Sequence, residues 1–300
     1  MSSDTEADEV CANCGKAAVD NIKLKICTAC KLVKYCSVEC QKNHRPQHKR
    51  ACKKRAAELR DDNLFTQPDG SHLGECPICC LLLPLDLSKS GINSCCCKRI
   101  CNGCDYANQV REMEQGLEHK CAYCREQLPK TQEEIDQNYM ERAKANDPIA
   151  LFQRGMTCDG EGDSEGAFDY YTKAAALGNM NAHHNLSVMY GEGHGVEKDN
   201  KKRVYHLEEA AIGGHADARF NLGNHEGRNG RFDRAMKHHI IAAKLGYDKA
   251  LDKVKMGFQM GLVSKEEYEA ALRGHQAAVD ATKSQQRDEA EEYHSQGNQD

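Results

Sequence analysis

Seventeen of the 18 cysteines in this 300-residue chain fall between Cys11 and Cys124, and five Cys-x2-Cys pairs recur there. Such a pair puts two thiolates on one tight turn, within reach of a single tetrahedral zinc ion. The opening residues, MSSDTEADEV, are acidic and polar, unlike a secretory signal peptide. An intracellular setting, cytoplasmic or nuclear, is therefore expected, where thiols act as metal ligands rather than disulfides. No apolar run reaches membrane-spanning length, and with tryptophan absent no segment reads as a large enzyme core. The net charge of -5 argues against a chain devoted to wrapping nucleic acid.

The first module spans residues 11–52. Its candidate ligands run Cys11-x2-Cys14, Cys27-x2-Cys30, Cys36-x3-Cys40 and His48-x3-Cys52, which makes two four-coordinate sites with nothing left over. Pairs spaced by four share one face of a helical turn. The segment's apolar residues are few (Val19, Ile22, Leu24, Ile26, Leu32, Val33), so the metal must replace a core. A structural zinc can contribute on the order of 10 kcal/mol to folding. With Tyr35-Cys36, Cys40-Gln41-Lys42 and His48-Lys49, the segment resembles a MYND zinc finger. The resemblance implies one zinc on Cys11, Cys14, Cys36 and Cys40, and another on Cys27, Cys30, His48 and Cys52. It also implies a peptide-binding interaction module. Several relatives take proline-rich ligands, but Arg45 stands where a tryptophan is common, which removes the support for that preference. His44 reads as a solvated helix histidine. Lys42 to Arg60 holds eight Lys/Arg against Glu58. With no aromatic among them, these read as a solvated basic helix rather than a nucleic-acid patch.

A basic helix and polar linker, 53–75, leads to a second module at 76–129. Here Cys76-Pro-Ile-Cys79 is followed by Cys95-Cys96-Cys97, Cys101-x2-Cys104 and Cys121-x2-Cys124-Arg125. The pattern resembles a RING finger in an all-cysteine variant. That implies one zinc on Cys76, Cys79, Cys101 and Cys104, and another on Cys121, Cys124 and two of the clustered three. The family's spacing favours Cys95 and Cys97, with Cys95 and Cys96 as the alternative. Val110, Met113 and Leu117 at helical spacing predict a central helix over Tyr106–Leu117, its apolar face in the core. In active ubiquitin ligases the positions of Ile78 and Arg125 contact the conjugating enzyme and brace ubiquitin, so both are candidate partner-binding residues. Ala122 departs from the family, which often has proline there. Cys80, the third clustered cysteine and Cys158 are left over and read as small buried fillers. Four structural zinc ions are expected, and no catalytic side chain.

The second half repeats. Ala150, Ala182, Ala218 and Ala250 begin matching segments 32, 36 and 32 residues apart. Three copies end in small residues and glycine: Ala174–Gly178, Ala210–Gly214 and Ala242–Gly246. The second copy holds an insertion, Gly191–Val196, which reads as a turn because no strand precedes it and no Lys-Ser/Thr follows. Each copy predicts a helical hairpin that must stack on its neighbours to bury its apolar face. The units resemble Sel-one-like repeats, relatives of the tetratricopeptide repeat, best in the copy with Leu186, Tyr190, Gly191, Gly193, Gly195-Val196, Asp199 and Ala210-Ala211. The resemblance implies a surface for protein ligands and no chemistry. The pairs His183-His184 and His238-His239 are poor chelates, since neighbours point to different helix faces, and read as surface or packing histidines.

The expected fold class is two small cross-braced zinc modules followed by an all-α solenoid of helical hairpins. A disordered acidic segment (1–10), a helical linker (130–145), repeats (146–275) and a frayed polar tail (276–300) complete the layout. The expected function is protein–protein interaction through zinc fingers and repeats, with ubiquitin-ligase activity at the second module and substrate recruited by the repeats; the alternative is a non-catalytic adaptor, and a nucleic-acid-associated regulator is a minor option. A protein-lysine methyltransferase is excluded, because Asn224-His225 is followed by Glu226-Gly227 and no Asn-His-Ser-Cys-like signature occurs. The three-module combination resembles that of proteins from unicellular algae.

Overall fold

In the computed structural model, residues 10–18 and 23–296 are described. The acidic amino-terminal segment (1–9) and the apolar residues Val19 and Ile22 lie outside them. The chain forms two units, 1–66 and 67–300.

Thiols occupy the centre of the first unit. Cys11, Cys27, Cys30 and Tyr35 are buried together, with Leu24 and Val33 only partly covered beside them. Ile26 and Leu32 are 46% and 49% exposed, so they add little to a core. Strand β1 (Lys25–Ile26) pairs antiparallel with β2 (Lys34–Tyr35). Helix α1 (Val38–Leu64) follows, its first turn capped by the Ser37 side chain, which accepts from the Cys40 N–H. Leu64 is the helix's buried residue, as a solvated helix requires.

The second unit opens with a hairpin, β3 (Ser90–Asn93) and β4 (Lys98–Cys101), in register Ser90 to Cys101 and Asn93 to Lys98. Helix α2 (Asn102–Glu114) comes next. It begins four residues before the expected start and leaves Leu117 outside. Met113 and Leu117, expected in the core, are exposed; the buried face is Gly103, Cys104, Asn108 and Glu112. The cysteine ligand face, not the apolar stripe, sets how α2 is rotated.

After α3 (Gln132–Lys144), four helical hairpins stack: α4 (Pro148–Gly160) with α5 (Ser164–Ala176), α6 (Met180–Glu192) with α7 (Asn200–Ile212), α8 (Ala216–Arg228) with α9 (Phe232–Lys244), and α10 (Asp248–Gln259) with α11 (Lys265–Asp280). The repeat period reappears in the caps. Asp147, Asn179 and His215 occupy equivalent N-cap positions, and His215 does so through its ring, Nδ1 accepting the Ala218 N–H at 3.2 Å. It also reappears in packing. Gly155, Ser187 and Gly223 hold equivalent positions, as do Tyr171, Leu207 and His239. A Cβ on Gly155 would sit 2.6 Å from the Tyr171 ring, and one on Gly223 2.5 Å from His239. Glycine here is a requirement of close helix approach.

Two features depart from the expected layout. One buried cluster joins Cys97 and Ile92 of the second module to Tyr139 and Ala143 of α3 and Leu151, Tyr171 and Leu186 of the repeats, so module and solenoid share a core. The described part of the polar tail is helical: α12 (Gln285–Gln296) packs on α2. Arg287 anchors it, donating to the carbonyls of Leu82 (2.7 Å), Leu81 (3.2 Å) and Thr282 (2.6 Å). Tyr293 packs on Tyr106, ring centroids 4.8 Å apart, and Lys89 pairs with Glu291 at 2.8 Å. A stretch polar all round has no hydrophobic signal, so its docking was invisible to periodicity. No helix among the described residues is long and apolar enough to cross a membrane.

Candidate metal centres

Among the described residues four groups of four donors come together: Cys11, Cys14, Cys36 and Cys40; Cys27, Cys30, His48 and Cys52; Cys76, Cys79, Cys101 and Cys104; Cys95, Cys96, Cys121 and Cys124. Within each, the ligand atoms lie within 4.8 Å of one another. Sulfur–sulfur separations include 3.6 Å (Cys14 to Cys36), 3.6 Å (Cys36 to Cys40), 3.9 Å (Cys27 to Cys52), 3.8 Å (Cys79 to Cys101), 3.8 Å (Cys96 to Cys121) and 3.4 Å (Cys95 to Cys124). A zinc–sulfur bond of about 2.3 Å in a regular tetrahedron sets an edge of about 3.8 Å. The groups therefore match zinc cages, and the Cys30 sulfur lies 3.2 Å from His48 Nε2. In both modules the first and third pairs share one group and the second and fourth share the other.

One backbone turn builds one pair in each group. After Cys11, Cys27, Cys76 and Cys121, the N–H four residues on returns to the cysteine carbonyl at 2.9–3.0 Å. The residues that close these turns, Gly15, Lys31, Cys80 and Arg125, all have φ between 56° and 69°. A left-handed residue is what lets the chain reverse behind the two sulfurs. Cys80 is thus a turn residue, and it is exposed rather than the buried filler expected. Cys158 and Cys97 are buried.

The clustered trio needs a correction. Cys95 and Cys96, not Cys95 and Cys97, join Cys121 and Cys124. The trio lies in the turn between β3 and β4, where Cys97 has φ 53° and its N–H returns to Asn93 O at 2.8 Å. That conformation turns its side chain to the opposite side, into the core shared with Tyr139 and Ile92. Burial pushes the Cys97 thiol up to about 11, keeping it protonated. At Cys121 burial also pushes upward, but the N–H groups of Cys124 and Tyr123 and the Asn93 amide, 3.3 Å away, bring it to about 7. A thiolate is the form a metal needs.

Donors beyond the ligands steady these sulfurs. Asn93 donates to Cys121, and Arg287 of α12 lies 3.5 Å from the Cys79 sulfur. A four-thiolate zinc site is doubly negative, so a guanidinium beside it offsets charge as well as holding geometry. Neither residue carried a sequence signal; nor did Glu112, which is buried yet receives His119 (2.9 Å), Arg111 (3.3 Å) and the Lys120 N–H (3.3 Å). His44 is not among the grouped donors; it bonds Tyr35 OH at 3.1 Å and stacks on His48.

Ile78, between the first two ligands of the second module, is 41% exposed. Arg125 folds back on α2, bonded to Asn108 and 3.9 Å from Glu112. Ala122 is buried.

The MYND finger family model matches residues 11–52, and the Sel1 repeat model matches 150–179, 181–215 and 216–247. The chain carries a MYND finger and Sel1 repeats. Similar solved structures include a Sel1 repeat protein from Oxalobacter formigenes, 23% identical over 59% of this chain and 74% of that one, with a TM-score of 0.43. Another is c5321, a protective antigen present in uropathogenic Escherichia coli strains and displaying an SLR fold, 19% identical over 63% of this chain and 39% of that one, TM-score 0.41. No curated protein matches the chain. The fourth hairpin, α10–α11, lies outside the matched repeats.

Proposed function

We propose that this chain is a zinc-held ubiquitin ligase of the RING type, in which the second module docks a ubiquitin-conjugating enzyme and the repeats hold the substrate protein. The coarser role, protein interaction through zinc fingers and repeats, is common to the modules the chain carries. The observation that carries the finer reading is the interleaving of Cys76/Cys79 with Cys101/Cys104 and of Cys95/Cys96 with Cys121/Cys124, with Ile78 exposed beside the first pair. All sixteen ligands in the four groups come from protein, so the metals are structural and leave no position for water. The protein would supply no nucleophile. Its contribution would be to orient the charged conjugating enzyme toward a substrate lysine. The eighteen unpaired cysteines suit a reducing intracellular compartment, cytoplasmic or nuclear.

A specific observation favours a second reading, a non-catalytic adaptor: Arg125 is engaged by Asn108 and Glu112 of its own chain rather than free to reach ubiquitin. Incubation of the full chain with activating enzyme, a panel of conjugating enzymes and ubiquitin separates the two. Chain formation that is lost on Ile78→Ala supports the ligase; no product with any conjugating enzyme leaves the adaptor.

A further inference from the structure

Two adjoining cavities flank α8. One, of about 530 Å³, lies between α8–α9 and α10 and is lined by Phe220, Phe232, Met236, Met256, Met260 and Leu262. The other, of about 560 Å³, lies between α6–α7 and α8 and is lined about equally by polar and apolar groups, Asn200, Asn221 and Asn224 among the polar ones. Asn224 and Arg228 border both, so the two form one groove with an apolar end and a polar end. Phe232, Met256 and Met260 are 51%, 49% and 69% exposed. Exposed methionine and phenylalanine in one hollow make an adaptable apolar socket.

The charge of the groove runs against that of the molecule. The chain carries a net charge of -5, yet the groove is bordered by Lys198, Arg203, Arg228 and Lys253 against one acid, Glu192. That acid is itself 3.3 Å from His194. None of the four cations forms an ion pair among the described residues, whereas Arg231 and Arg234, just beyond, are taken up by Glu226. Unpaired cations around an apolar socket complement an anionic ligand that has an apolar anchor. Asn224, which borders both hollows, adds an amide donor and acceptor suited to an extended main chain.

We infer that this groove binds an acidic, extended segment of a partner protein, with a bulky aliphatic or aromatic anchor in the Phe232–Met256–Met260 socket and flanking carboxylates on Arg228 and Lys253. The inference rests on the reading that the repeats hold a partner protein, and it specifies the partner's chemistry.

The test is fluorescence anisotropy of the full zinc-loaded chain with labelled synthetic peptides in which glutamates flank a Leu-Phe pair. Controls replace the glutamates by lysines or the Leu-Phe pair by Ser-Ser. The acidic, anchored peptide should bind, weaken with salt, and lose at least about tenfold in affinity with Arg228→Glu/Lys253→Glu, since rim charges and anchor act together. Met260→Asp, a substitution at an exposed position, should weaken the same peptide without changing the circular dichroism. Equal binding of the lysine peptide, or indifference to both variants, overturns the inference. A mixed-composition peptide array on the same variants then separates two failures. Peptides bound regardless of the groove substitutions leave the repeats as a partner-binding element and sink only the groove; no bound peptide at all sinks both.

Discussion

Cys96 and Cys97 are chemically identical neighbours with opposite fates, and the difference is one backbone turn. Cys97, left-handed at φ 53°, faces a hydrocarbon core, while Cys96 faces three other thiols. Native mass spectrometry should therefore find four zinc ions in the wild type and in Cys97→Ala, and three in Cys96→Ala; equal loss in both variants would refute the assignment. Histidines make a second contrast at this scale. His72 stacks on His215 (4.1 Å) and His215 on His184 (4.6 Å), with Asn181 3.0 Å from His72 Nε2 and Asp217 3.2 Å from His184. Burial holds His72 down at about 4 and His215 at about 2, against an ordinary 6.5. The unfolded chain then binds more protons below 6.5, so stability present above that value is lost as pH falls, through 4 for His72 and on toward 2 for His215. Thermal melts of the second unit should show this slope, and His72→Phe, which keeps a ring but cannot titrate, should flatten it. An unchanged slope would show that this stack does not govern the acid response.

At the scale of elements, the hairpins depend on small residues opposite large ones. Gly155→Val puts methyl groups where the Tyr171 ring stands 2.6 Å from a Cβ, and should cost about 1–3 kcal/mol in chemical denaturation. Ser187→Ala, at the equivalent place in the second copy, should cost less than Gly155→Val in the same denaturation. Helix α12 is held differently, by polar contacts that no apolar stripe announces. Arg287→Ala removes donors to Leu81 O, Leu82 O and the Cys79 sulfur. The expected loss is about 2 kcal/mol, with faster hydrogen exchange in α12 and in the turn after Cys79. Protection unchanged in that turn would mean that α12 does not brace the metal site.

For the molecule as a whole, two kinds of core coexist. The first unit has sulfur at its centre and exposed Ile26 and Leu32, whereas the hairpins bury mostly alanine, leucine and tyrosine and hold none of the four donor groups. A structural zinc contributing on the order of 10 kcal/mol is comparable to the whole stability of a typical domain. Chelation should therefore unfold residues 11–52 and loosen the core that the second module shares with α3–α6, while α8–α11 keep their exchange protection and most of the helical circular dichroism survives. Cooperative loss of both on chelation would contradict separate cores.

Spacing alone determined a great deal. Two cysteines separated by two residues bring two sulfurs to one metal, four of the five such pairs doing so on the same turn, and a period of 32 to 36 residues with alanine and glycine in register reads as stacked hairpins. Both are local or repeating constraints, so they survive in one dimension. Three things waited for the tertiary structure: which sulfurs of the 95–97 cluster turn inward, the return of Arg125 onto Asn108, and the docking of the polar α12 on α2. Each depends on a single conformation or a few hydrogen bonds between distant residues, Arg287 to Cys79 spanning 208 positions, and such contacts leave no periodic trace in the order of the amino acids.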